Sequence, residues 1–151
     1  MAYEQLKLKN QLCFRLYTAS RLITQAYEPH FKPLGITYTQ YLVLLVLWET
    51  DEQPINDIGK KLLLGINTVS PLIKRMEKNG LLSRRDSETD KRQQIVCLTE
   101  KGKELRKKAA KIPSAMANAL EAAQLDLNEL ARMITTLDML IHKIDEIEKK
   151  D

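Results

Sequence analysis

Apolar positions along this chain fall into a series of helical stripes, interrupted once by two short strand-like runs. From Gln5 to about Tyr27, Leu12, Leu16, Ala19, Ile23 and Ala26 recur at spacings of four and three, which keeps them on one helix face. Pro29 and Pro33 end that helix. Thr37-Tyr38-Thr39-Gln40 then has the form of a capping box, in which the Thr37 hydroxyl and the Gln40 amide each satisfy a free backbone donor. The apolar run that follows is therefore read as a buried helix, about Tyr38 to Thr50, and not as a strand. Pro54 opens a short third helix, about Ile55 to Leu63, with Ile55, Ile58 and Leu62 facing inward. After a break at Gly65, a fourth helix turns Val69, Leu72, Ile73 and Met76 to the core. Pro71 is expected in its first turn, because an interior proline costs about 3 kcal/mol. Asn79-Gly80 supplies a left-handed stop. Short helix, tight turn, helix is a helix-turn-helix pattern.

Two short strands follow, about Leu82 to Asp86 and Gln93 to Leu98, joined by the polar tip Ser87-Glu88-Thr89-Asp90. Thr99 caps a long fifth helix, bent near Pro113, and Asp126-Leu127-Asn128-Glu129 caps a sixth. In the sixth, Leu130, Ile134, Leu137, Ile141 and Ile144 step by four, three, four and three, a coiled-coil seam. Such a seam exceeds what one small core can cover. Dimerisation is the expected use, and packing back onto the chain's own first helix is the alternative. The fold class is mainly α: a winged helix-turn-helix with a two-stranded wing, and N- and C-terminal helices forming a dimer interface. One domain over 1–151 is expected, with the winged part at about 38–98 and dimerisation helices at about 1–37 and 99–151.

Composition narrows the function classes. The longest apolar run, Tyr41 to Trp48, falls far short of the roughly 18 residues of a membrane span. No signal peptide is visible, so a cytoplasmic protein without membrane contact is expected. Cys13 and Cys97 lie 84 residues apart with no CxxC, and His30 and His142 are isolated, so neither a metal site nor a cofactor is expected. No acid–base constellation marks an enzyme. Charge is more telling. Between Lys74 and Arg92, seven basic side chains face four acidic ones, leaving +3 of the formal +4 in nineteen residues. A helix and a hairpin sharing one basic face can grip double-stranded DNA at two places. Asn67, Thr68 and Ser70 are the candidates for base edges or phosphates, with Lys74 and Arg75 one turn later.

Asp90-Lys91-Arg92, five residues, then Leu98-Thr99-Glu100-Lys101-Gly102 resembles the D-x-R-x5-L-T-x-x-G wing pattern of MarR-type regulators, and the helix order matches over essentially the whole chain. Gln11-Leu12-Cys13-Phe14, Leu16-Tyr17, Tyr27 and Leu34-Gly35-Ile36-Thr37-Tyr38-Thr39-Gln40-Tyr41-Leu42 look like the organic hydroperoxide resistance repressors, the OhrR branch. The resemblance implies a dimeric repressor that senses organic hydroperoxides through one N-terminal cysteine, here Cys13. It implies a hydrogen-bond network of Tyr17, Tyr27 and Tyr38 around that sulfur, with Tyr27 and Tyr38 from the partner. It also implies a homodimer on a pseudo-palindromic operator. In the wing, Arg92 would enter the minor groove, aimed by Asp90, while Arg84, Arg85 and Lys91 would hold phosphates. Gly65-Ile66-Asn67 stands where that branch often carries Asp-Ser-Gly.

Cys13 and Tyr17 are one helical turn apart and so lie side by side. Oxidation of the Cys13 thiolate gives a sulfenic acid, which goes on to a disulfide or a higher oxide. The other reading of Cys13 is a small buried hydrophobe. Cys97 is expected to be packed in its strand. No cysteine follows it, so Cys13 is expected to take a small cellular thiol in mixed disulfide or to overoxidise. Phe14, Leu16, Leu42 and Trp48 could admit an alkyl peroxide, or could be ordinary core. The rival function is a MarR-type regulator released by a small aromatic ligand without redox chemistry. A thiol peroxidase fits poorly, since the basic hairpin would go unexplained.

Overall fold

The structure, a computed structural model, describes residues 3–149. The chain divides into two compact units, Met1–Ala110 and Lys111–Asp151.

In the first unit the N-terminal helix begins later than the apolar stripe suggests. Two 3-10 turns, Glu4–Leu6 and Leu8–Asn10, precede α1 (Leu12–Ala26). Gln11 is extended and breaks the path. Polar side chains explain the break, since they take carbonyls that a helix would otherwise use. Asn10 Nδ2 donates to Glu4 O at 2.7 Å and Gln11 Nε2 to Gln5 O at 2.5 Å. Pro29 does not merely stop the chain. It sits in the first turn of a short helix, α2 (Glu28–Phe31), and Pro33 in a 3-10 turn that Gly35 closes at φ 67°.

Helix α3 (Tyr38–Glu49) starts at the expected capping box: Gln40 N donates to Thr37 Oγ1 at 3.4 Å and Thr37 N to Gln40 Oε1 at 3.1 Å. Tyr41, Val43, Leu44, Val46, Leu47 and Trp48 are all buried. A helix so apolar around its circumference has to lie inside. Against it stand Ile58 of α4 (Ile55–Leu62) and Val69, Leu72, Ile73 and Met76 of α5 (Ile66–Lys78). The left-handed residue of the helix-turn-helix is Leu63, at φ 52°, while Gly65 is an extended N-cap. Gly59 is needed for closeness, since a Cβ there would stand 2.9 Å from Leu64 O. Pro71 lies in the second turn of α5, not the first, because the helix begins at Ile66. Its missing N–H would have served Asn67 O, on an exposed residue where water can replace it.

A third strand was not visible in the sequence. Gln53–Pro54 (β1) pairs antiparallel with β3 (Gln94–Leu98), which pairs with β2 (Leu82–Asp86) in the order β1-β3-β2. Two residues are too few to show a period, and the proline is tolerated because β1 is an edge. Leu82 opposite Leu98 and Arg84 opposite Val96 share the inner face. Ser83, Arg85, Ile95 and Cys97 share the outer one. Helix α6 (Glu100–Ala109) follows from Thr99.

The expected long bent fifth helix is instead two helices, α6 ending the first unit and α7 (Ile112–Ala122) opening the second. α7 carries Pro113 in its first turn, where no hydrogen bond is lost. Asp126 caps α8 (Leu127–Glu148), its carboxylate accepting Asn128 N at 2.8 Å. Neither α1 nor α8 buries any residue. In α8 the seam positions Ile134, Ile141 and Ile144 stay exposed.

Candidate nucleic-acid interface and cysteine site

Helix α5 separates its two faces sharply. Val69, Leu72, Ile73 and Met76 point inward, while Asn67, Thr68, Lys74 and Arg75 are exposed and Ser70 is half-buried. No side chain caps its N-terminus. Asn67 and Thr68 are therefore not spent as caps. Ser70 and Arg92 line one cavity of about 210 Å³ together with Asn56 and Gln94, so the helix and the hairpin present a common face.

The hairpin tip is folded, not loose. The buried Ser87 hydroxyl accepts Asp90 N at 3.3 Å, Ser87 N donates to Gln93 O at 2.9 Å, and Gln93 N to Asp90 O at 2.9 Å. Asp90 Oδ1 then accepts both Arg92 N at 3.0 Å and Arg92 Nε at 3.3 Å. The Arg92 side chain stays 92% exposed, held at its root and open at its end. Lys91 beside it is exposed.

Two other expected phosphate contacts have partners inside the chain. Arg84, on the inner face of the sheet, donates to Glu77 Oε2 of α5 from Nε at 2.9 Å and NH2 at 2.7 Å, and to Gln94 Oε1 at 3.1 Å. Arg84 holds the Glu77 carboxyl below the usual carboxylate range, mainly by that hydrogen bond. Arg85, on the outer face, pairs with Glu52 at 2.8 Å. Strand alternation decides this, and it cannot be read from a count of basic residues.

Sequence reasoning also missed the base of the wing. Thr99 Oγ1 lies 2.6 Å from Gly80 O and accepts Gly102 N at 3.1 Å. A Cβ at Gly102 would overlap Leu81 O and come within 3.1 Å of Leu98 Cδ2. The Gly102 carbonyl accepts Trp48 Nε1 at 2.9 Å. Leu-Thr-x-x-Gly is thus a clasp where β3, α6 and the end of α5 meet. The motif was the available signal, but its mechanical meaning lay in distant partners.

Cys13 is exposed in the first turn of α1, and Tyr17, one turn on, is 69% exposed. Among the described residues no hydrogen bond to Cys13 is recorded. Tyr27 and Tyr38 belong to a different group. Their rings meet edge to face with centroids 5.3 Å apart, and Phe31 and Tyr41 pack against both. Burial, then proximity to Tyr27, pushes the Tyr38 phenol above its ordinary value, so it remains a neutral donor. Trp48 packs edge-on to Tyr41 in the core, taking the structural alternative of the two offered for it. Phe14 is exposed, and Leu16 and Leu42 are half-buried.

Cys97 lies in its strand on the outer face of the sheet, half-buried and diagonal to Arg85, because the register sends Val96 and Leu98 inward. Among the described residues no helix is long and apolar enough to cross a membrane.

A helix-turn-helix carrying a basic hairpin on its reading face defines a winged-helix, DNA-binding transcriptional regulator. Residues 25–109 match the family model described as transcriptional regulator SarA/Rot. The chain is 40% identical over 141 residues to the organic hydroperoxide resistance transcriptional regulator of Bacillus subtilis, covering 93% of this chain and 96% of that one. It is 39% identical over 150 residues to the HTH-type transcriptional regulator MgrA of Staphylococcus aureus, covering 97% and 99%. A solved structure of reduced AbfR bound to DNA superposes with a TM-score of 0.76 at 39% identity, covering 93% and 96%. AbfR has also been solved overoxidised on DNA and in a disulfide form. The chain belongs to the MarR family, in the branch of the organic hydroperoxide resistance regulators.

Proposed function

We propose that this regulator is a homodimeric repressor that holds a pseudo-palindromic operator while Cys13 is reduced and releases it when an organic hydroperoxide oxidises that sulfur. The carrying observation is the division of the sensor residues. Cys13 and Tyr17 stand exposed on a helix that buries nothing, while Tyr27 and Tyr38 are packed together elsewhere in the chain. A second copy laid against α1 would bring its own tyrosine pair to the sulfur. In the first unit the exposed apolar residues Leu12 and Ile23 of α1 offer surface to such a copy; in the second, Ile134 and Ile141 of α8 are exposed apolar residues in their own right.

In the sensing step the Cys13 thiolate attacks the terminal oxygen of R–O–OH. The O–O bond breaks, R–O⁻ takes a proton and leaves as the alcohol, and the sulfur becomes a sulfenic acid. A small thiol, R′–SH, then condenses with it to a mixed disulfide and water. Of the two expected fates the mixed disulfide is the releasing one, in keeping with overoxidised AbfR having been solved on DNA. Neutral phenols donating to the sulfur favour the thiolate.

On DNA, α5 would enter the major groove with Asn67, Thr68 and Ser70 at base edges or phosphates and Lys74 and Arg75 on the backbone. Arg92 would enter the minor groove and Lys91 would hold a phosphate. Asp90 fixes the Arg92 guanidinium at its root. Arg84 acts by bracing the wing on α5 through Glu77, and Arg85 reaches a phosphate by leaving Glu52. Oxidation would move the two reading heads out of match with half-sites about 34–36 Å apart.

Operator binding by purified protein before and after cumene hydroperoxide, with mass spectrometry of Cys13, tests the proposal. Release that follows modification of Cys13 supports it, and release with Cys13 still a thiol overturns it. The latter result would favour the second reading, an aromatic ligand as inducer. An open groove of about 470 Å³ beside Phe31, Ile36 and Tyr38, with Lys32 at its edge, gives that reading a place.

A further inference from the structure

We propose that Trp48 is a positioning residue for DNA binding: its indole N–H, donated to the Gly102 carbonyl, fixes the base of the wing against α3 and so sets where Arg92 stands. The inference rests on the wing contact proposed above. The C-terminal end of α3 is tied to α4, β3 and α6 by three different sets of polar contacts. Gln53 Nε2 donates to Val46 O at 3.2 Å, and its Oε1 accepts Lys61 Nζ of α4 at 2.8 Å. Asp51 Oδ1 accepts Leu98 N, at the end of β3, at 2.9 Å. Trp48 Nε1 donates to Gly102 O of α6 at 2.9 Å, across 54 positions of sequence.

Trp48 is 8% exposed, so its hydrogen bond has little competition from water. Gly102 is closely covered on its other side, where a Cβ would meet Leu81 O and Leu98 Cδ2. The hairpin leaves the head at this joint. Arg92 lies six residues before Leu98, roughly 20 Å out at about 3.3 Å per residue. A rotation of about 5° at the base then moves the tip by roughly 2 Å, enough to lose a hydrogen bond to DNA. A phenylalanine at position 48 would keep the ring in the core beside Tyr41 and leave the Gly102 carbonyl without its donor.

The test is a double-mutant cycle on operator affinity with Trp48→Phe, Arg92→Ala and the pair, at a temperature where all three are folded by circular dichroism. Each single change is expected to weaken binding about tenfold, and the pair little more than either one, because the first has already misplaced what the second removes. Losses that multiply to about a hundredfold, or no loss with Trp48→Phe, would overturn the assignment while leaving the wing contact standing. No loss with Arg92→Ala alone would remove the wing contact and this inference with it. If Trp48→Phe does not fold, Asp51→Ala, which cuts the neighbouring tie to Leu98, takes its place in the cycle with the same two outcomes.

Discussion

Tyr27 and Tyr38 meet edge to face at a centroid distance of 5.3 Å, within one chain and in the core group of Phe31 and Tyr41. The two phenols of the proposed sensor network thus stand as a preassembled pair. Removing one hydroxyl should leave the ring packing intact and change only the chemistry. Tyr27→Phe is expected to slow oxidation of Cys13 roughly fivefold, the equivalent of one hydrogen bond of about 1 kcal/mol. Stopped-flow labelling of the remaining thiol measures it, and equal rates would dismiss the phenol as a donor.

Cys13→Ser removes the sulfur from an exposed first-turn position, where no buried packing is lost. The variant should bind operator DNA with wild-type affinity and stay bound when cumene hydroperoxide is added. A gel-shift titration checks both halves. Peroxide-induced release by this variant would refute the sensor assignment.

Arg92→Ala deletes a side chain that is 92% exposed and, among the described residues, anchored by Asp90 alone. Folding should be untouched, with thermal stability changing by less than about 0.5 kcal/mol. Operator affinity should fall about tenfold, and the slope of log K against log salt should become shallower by about one per wing. An unchanged slope would strike Arg92 from the contacts.

The Glu77 and Arg84 pair predicts an acid-side effect. The Glu77 carboxyl is held below the usual range, so its ionised form favours the folded wing. Its contribution is present above the ordinary carboxylate range and lost as pH falls through the folded-state value. The pair is partly exposed, so the loss should stay below about 1 kcal/mol. Thermal melts of wild type and Glu77→Gln across that range should converge at low pH. Parallel curves would show that the pair adds nothing.

Gly102→Ala should cost about 2–3 kcal/mol, since the new methyl would overlap the Leu81 carbonyl. A denaturant melt gives the number. A loss under about 0.5 kcal/mol would mean that the clasp yields easily and does not fix the wing.

The sequence by itself determined the order of the helices around the reading head, the capping box at Thr37, the cap at Asp126, the inward face of α5 and the Asp90 and Arg92 pairing, because each rests on residues within a few positions of one another. Periodicity and local hydrogen bonds carry that much. It could not show that Arg84 turns to Glu77 while Arg85 turns to Glu52, or that Cys97 lies on the outer face, because sheet register settles those. Nor could it show the Trp48 bond to Gly102, whose partners only the packing of α3 on α6 brings together. The start of α1 at Leu12 and the two-residue β1 escaped for a related reason. Side-chain amides competing for carbonyls, and an edge strand that exists only by pairing with β3, leave no stripe of their own along the chain.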